Sequence, residues 1–170
     1  MILPGWTAAA SIIGWSALVQ VQRVMYRFRA GFVGKASPVH FFWGSADLAA
    51  SRFSGRPAPL HPGGVPNCPD RVQQLAYSHE LHSCGFWPGG GGGGASFYAY
   101  AYPEPPGFAD WPVRPGEAYY DRELGEFLLP YGALLDAEDP DATLLAFFQS
   151  TYEAAADLAG WDRAALEPRG

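Results

Sequence analysis

Residues 37–55, SPVHFFWGSADLAASRFSG, constrain the fold more than any other stretch of the chain. Ser37-Pro38 disfavours helix at its start, and Ser54-Gly55 supplies a turn at its end. Between them lie Val39, Phe41, Phe42, Trp43 and Leu48, with His40, Asp47 and Arg52 the ionisable side chains. Strict alternation puts Val39, Phe41, Trp43, Ser45 and Asp47 on one face, and His40, Phe42, Gly44, Ala46 and Leu48 on the other. Both faces begin apolar, which predicts a core strand covered on both sides that opens to something polar near Ser45 and Asp47. No catalytic signature accompanies it.

The flanking segments supply the remaining elements. From Trp15 to about Arg29, Leu18, Val21, Met25 and Phe28 recur at helical spacing, with Arg27 and Arg29 in the last turn and Gly31 just past it. Residues 55–70 hold five prolines and read as a loop or a wrap over the surface. AYSHELHSCGFW (76–87) reads as a second strand, and the glycine run 89–94 as a connector between paired strands rather than a phosphate cradle, because no Lys-Ser/Thr follows it. SFYAYAY (96–102) is a strand with Tyr98, Tyr100 and Tyr102 on one face and Phe97, Ala99 and Ala101 on the face suited to lie beneath a helix. Tyr119-Tyr120 and Glu126–Leu129 are strand-like around an Arg-Glu-Leu-Gly turn. Asp139 caps a final helix, with Pro140 at its first position and Gly160 ending it. The expected fold is α+β, an antiparallel sheet of about four strands with an N-terminal and a C-terminal helix packed on it. The expected organisation is a poorly structured segment 1–14, a single domain 15–164 and a tail 165–170.

Only 16% of residues are charged and 15% are aromatic, against roughly 25% charged in an ordinary soluble domain. That balance predicts surplus apolar surface and favours self-association. A net charge of -6 argues against nucleic acid as a partner. Arg23, Arg27, Arg29, Lys35, Arg52 and Arg56 cluster in sequence and the acidic residues gather in the C-terminal part, which reads as two faces attracting each other within the fold. Cys68 and Cys84 make no disulfide framework, so a reducing, cytoplasmic compartment is expected. The uncharged first 22 residues are interrupted by Pro4, Gly5 and Gly14, and this excludes a membrane as partner in the reading of the sequence.

The polar residues inside the strands are the candidate chemistry. His79-Glu80-Leu81-His82 is not a zinc-protease motif, because its histidines are three apart on a strand rather than four apart on a helix. If the second strand neighbours the central one, His40 or Asp47 meets His79 or Glu80. That arrangement is either a buried network that fixes strand register or an acid–base, ligand or metal cluster that His61 could complete. The candidate pocket is His40, Trp43, Asp47, Arg52, His79, Glu80, Tyr98 and Tyr100, with a small molecule as partner and no cofactor expected. Arg52 in an enclosed aromatic setting would suit an anionic group. A protein-interaction or structural module is the competing function.

Longer stretches carry a resemblance. FRAGFVGKASPVHFFWGSADLAASRFSG, HPGGVPN, AYSHELHSCGFWPGG, FYAYAYPEPPGFAD, YYDRELGEFLLPY and LLAFFQSTYEAAADLAGWDRAALE together resemble the bacterial domain-of-unknown-function family DUF 5996. The resemblance implies a bacterial cytosolic protein with no assigned catalytic residues. The opening MILPGWTAAASIIG does not fit it, which leads to the expectation that the chain corresponds to the family's C-terminal part.

Overall fold

A computed structural model describes residues 8–65, 68–89 and 94–168, with backbone alone for residues 8–14. Helix α1 spans Ala8–Ala30 and so begins upstream of the expected Trp15. Val21, Val24, Met25 and Phe28 form its buried stripe, as their spacing predicts. Strands β1 (His40–Phe42) and β2 (Asp47–Pro57) follow, then helix α2 (Asp70–Ala76) and strands β3 (His79–Trp87) and β4 (Ser96–Tyr102). After a 3-10 turn at Phe108–Asp110 come β5 (Tyr119–Asp121), β6 (Glu126–Pro130), α3 (Tyr131–Leu135), α4 (Pro140–Leu158) and α5 (Arg163–Leu166).

The strands form one antiparallel sheet in the order β1-β2-β3-β4-β6-β5. It has six strands rather than about four, and the central stretch is the main reason. Residues 37–55 are not a single core strand but a hairpin, in which Trp43–Ala46 reverse the chain and Ala46 takes a positive φ of 57°. The aromatic run predicts burial, yet β1 is the sheet's edge: Phe42 is half exposed and Trp43, at the turn, is 88% exposed. Gly44-Ser45 is the turn signal that the flanking aromatics masked. The β5–β6 hairpin around Arg122–Gly125 supplies the other two strands.

Helix α1 lies over β2, and α4 over β3 and β4, so both long helices cover one face of the sheet. Leu48, Ala50, Cys84, Phe86, Phe97, Ala99, Phe127 and Leu129 point into the core between sheet and helices. Ala99 is fully buried there, the close approach that a small side chain permits. Asp139 caps α4 by accepting from the Ala142 N–H at 3.0 Å. Of the basic cluster, Arg23 and Arg27 pair with Asp141 in the C-terminal part, Arg56 pairs with Glu80, and Arg29 and Arg52 donate to backbone carbonyls. Among the described residues no helix is long and apolar enough to cross a membrane. Both cysteines are free.

Candidate ligand-binding groove

The face that α1 and α4 leave uncovered carries a groove. Two cavities of about 450 and 460 Å³ share Ser45, Asp47, Tyr98 and Tyr100 in their walls, so they adjoin along this face of the sheet. Glu126, Leu128 and Trp87 line one end. His40, Phe42 and the α2 residues Val72 and Gln73 line the other. A further cavity of about 430 Å³ between α1 and α4 is walled by Ala17, Val21, Leu134 and Leu144. Its charged wall residue, Asp141, is already paired with Arg23 and Arg27, so that space offers little chemistry.

Alternation along each strand selects the groove's side chains. On β2, Asp47, Ala49 and Ser51 face the groove while Leu48, Ala50 and Arg52 face the helices. On β4, Tyr98 and Tyr100 face the groove and their rings stack, with centroids 6.3 Å apart and planes 14° apart. Tyr77, just before β3, continues the row: its ring stacks on Tyr100 and the two hydroxyls are 2.6 Å apart. Tyr98 reaches across β3 to donate its hydroxyl to Asp47, which also accepts from Ser45. Gly85 makes this reach possible. It sits between Ala49 and Tyr98 in the sheet register, and a Cβ there would fall well inside 3.0 Å of both the Leu48 carbonyl and the Tyr98 ring.

Burial first, and Asp47 second, push the Tyr98 phenol well above its ordinary range; burial and Tyr77 do the same for Tyr100. Both therefore act as neutral hydroxyls. Desolvation, reinforced by Asp121 and Asp47, raises the Glu126 carboxyl to about 7. Glu126 can thus hold or release a proton near neutrality. Among the described residues, no group of three His, Cys, Asp or Glu side chains could hold a metal ion.

The structure brings together four of the sequence-predicted pocket residues: His40, Asp47, Tyr98 and Tyr100. His40 and Asp47 share the groove face because the hairpin turn resets the alternation that had put them on opposite faces. The other four lie elsewhere. Trp43 projects from the hairpin turn. His79 is paired with Pro57, whereas Asp47 lies beyond Leu48, which pairs with Phe86. Antiparallel pairing thus sends Asp47 and His79 to opposite ends of a ladder about 30 Å long at ~3.3 Å per residue. Glu80 emerges on the helix-bearing face and pairs with Arg56 at 2.7 Å.

Arg52, 2% exposed, lies in the core beneath the helices. Its guanidinium stands 3.5 Å from the Phe28 ring centroid and 4.4 Å from that of Tyr152, and it donates to the Phe28 carbonyl in the last turn of α1. Burial lowers its pKa to about 10. It therefore binds a helix C-terminus, where cations are favoured, and not an anion in the groove. His61 packs on Tyr77 and Tyr102, with ring centroids at 4.5 and 5.1 Å. His82 is wholly buried, lies 3.0 Å from the Thr151 hydroxyl, and is kept neutral by burial, its pKa lowered to about 3. Sequence reasoning missed Glu126, Tyr77 and Gln73; the alternation in Glu126-Phe127-Leu128-Leu129 was the available signal for the first.

The family model for a family of unknown function, DUF5996, matches residues 5–168. The chain belongs to this family. Because the match runs over nearly the whole DUF5996 chain, including part of the opening stretch that was expected not to fit, the reading of it as only the family's C-terminal part is corrected. Among curated proteins and among solved structures nothing matches.

Proposed function

We propose that this DUF5996 chain is a small-molecule-binding protein whose site is the groove on the face that α1 and α4 leave uncovered. The observation that carries the reading is the convergence of Asp47, Glu126 and the Tyr98–Tyr100–Tyr77 row on adjoining solvent-reached cavities with apolar walls at Phe42, Trp87 and Leu128. Two cavities of about 450 and 460 Å³ placed in this way suit a metabolite-sized ligand. A binding role is favoured over catalysis because the hydroxyls are engaged with one another and with Asp47 rather than with a free nucleophile or base.

A thermal-shift screen of metabolites at saturating concentration tests this. A ligand at one hundred times its Kd stabilises by about 2.7 kcal/mol, which for a chain of this size raises Tm by roughly 5–10 °C. Ala49→Phe fills the groove from β2 and should abolish that rise. Stabilisation that persists in the plugged variant, or no stabilising compound at all, would refute the reading.

The exposed hairpin tip supports a second reading, self-association through the β1 edge. Trp43 is 88% exposed beside the half-exposed Phe42, an edge unpaired among the described residues with an apolar tip. The expected outcome is a concentration-dependent dimer in light scattering that Trp43→Ala dissolves; a monomer at high micromolar wild-type protein would end it.

A further inference from the structure

We infer that the groove selects an organic cation, a ligand bearing a primary amine or ammonium group on an apolar body. The inference rests on the binding function proposed above and adds the chemical class. Three independent features point to it.

The first is charge. Among the described residues lining the groove there are two carboxylates, Asp47 and Glu126, and no Lys or Arg. The nearest buried cation, Arg52, is turned to the opposite face of the sheet and bound to the end of α1. The acids thus face the groove without a counter-charge, a state that a bound cation relieves and a bound anion worsens.

The second is the hydrogen-bond inventory. Tyr98 and Ser45 spend their hydrogens on Asp47, Ser51 donates to Ser83 at 3.0 Å, and Tyr77 and Tyr100 bond to each other. Gln73, 3% exposed, donates its amide hydrogens to the carbonyls of Val65 at 3.3 Å and Cys68 at 3.2 Å. That fixes its amide and leaves Oε1 a buried acceptor with no partner among the described residues. A buried acceptor left unmatched is costly, and Gln73 lines the groove. Tyr98, Ser45, Ser51 and Gln73 have thus committed their hydrogens, and the carboxylates and Gln73 Oε1 are left to accept, so a donating ligand fits best; His40 and one hydroxyl hydrogen of the Tyr77–Tyr100 pair still offer donors. An ammonium group brings up to three donors and no acceptor.

The third is the wall. The stacked faces of Tyr98 and Tyr100, with Trp87 and Phe42, present aromatic surface to the groove, and aromatic faces attract cations within about 6 Å of a ring centroid. Carboxylates and aromatic faces together distinguish an ammonium ligand from a sugar or an alcohol, which would gain less from both.

A matched series tests the class. Tyramine, tyrosol and 4-hydroxyphenylacetate share one ring and differ in carrying a cation, a neutral hydroxyl or an anion. In NMR titrations of the full chain, tyramine should bind at least about tenfold tighter than tyrosol, with 4-hydroxyphenylacetate weakest. The shifts should centre on Tyr98, Tyr100 and Gln73. Asp47→Asn should weaken tyramine about tenfold more than it weakens tyrosol. Glu126→Gln reports the same preference should the Asp47 variant fail to fold. If tyrosol or 4-hydroxyphenylacetate occupies the groove as tightly as tyramine, the cation inference is overturned while the binding function stands. If none of the three produces a saturable shift at groove residues, the cation inference falls, and the metabolite screen then decides the binding function separately.

Discussion

Gly85→Ala is the sharpest probe of how the groove is built. The new methyl carbon would lie well inside 3.0 Å of the Leu48 carbonyl on one side and of the Tyr98 ring on the other. Comfortable carbon contacts are about 3.5–4.0 Å. Leu48 is held by its ladder with Phe86, so Tyr98 must give way by about 1 Å, enough to break its hydroxyl bond to Asp47. Overpacking of this kind costs about 1–3 kcal/mol, and a buried carboxylate that loses a donor about 1–3 kcal/mol more. The restriction that Ala places on the unfolded chain offsets about 0.5–1 kcal/mol. The expected net destabilisation is about 2–4 kcal/mol, or roughly 5–15 °C in Tm for a chain of this length. Urea unfolding followed by tryptophan fluorescence measures it. Tyr98→Phe alone should cost about 1.5–3 kcal/mol, and because both changes break the same bond, the double variant should fall short of their sum. A Gly85→Ala protein within 0.5 kcal/mol of wild type, or full additivity with Tyr98→Phe, would refute the account of why Gly85 is there.

Two further perturbations test the electrostatics. Glu126 has its folded-state pKa raised from 4.5 to about 7, so between those values the folded protein holds a proton that the unfolded chain releases. Its contribution is therefore fully present below about pH 4.5 and lost as pH rises through 7. Its partial exposure reduces the effect to about 1–2 kcal/mol, and Glu126→Gln should flatten that slope between pH 5 and 8; an identical slope in the variant would show that Glu126 is not its source. For Arg52, Ala should cost about 3–5 kcal/mol through lost packing on Phe28 and Tyr152, and Met should recover more of it than Lys, because Met refills the space without a buried charge. Calorimetry ranking Lys above Met would refute the stacking argument.

The sequence was most informative where period and capping agree. The stripe of α1, the cap of α4 and the two faces of SFYAYAY each follow from side-chain spacing alone, because burial of one face is what makes those segments fold. Residues 37–55 misled because hydrophobicity reports what a side chain prefers, not whether a neighbour exists to cover it. Phe42 and Trp43 sit at a sheet edge, where the covering layer ends. The site was half legible for a related reason. Alternation tells which residues share a face within one strand, and it found the tyrosine row. The register between strands decides which residues share an end, and that is set by turns whose geometry a hydrophobic pattern does not specify. Hence Asp47 met Tyr98 rather than His79.

Asp47 and Arg52 stand five residues apart on β2, an odd separation that turns them to opposite sides of the sheet. Sliding β2 by one residue against β3 would exchange them. The carboxylate would then enter the packed layer at the place Leu48 now fills, and the guanidinium would leave the end of α1 for the groove face. Each misplaced charge would cost several kcal/mol, with no partner waiting for it. Two charges of opposite sign thus act as a proofreading pair for the central strand, rejecting a misalignment that its small residues Ala49, Ala50 and Ser51 would otherwise tolerate. Any redesign of the groove that neutralises Asp47 removes one half of that check, so altered binding and slower or less faithful folding should appear together.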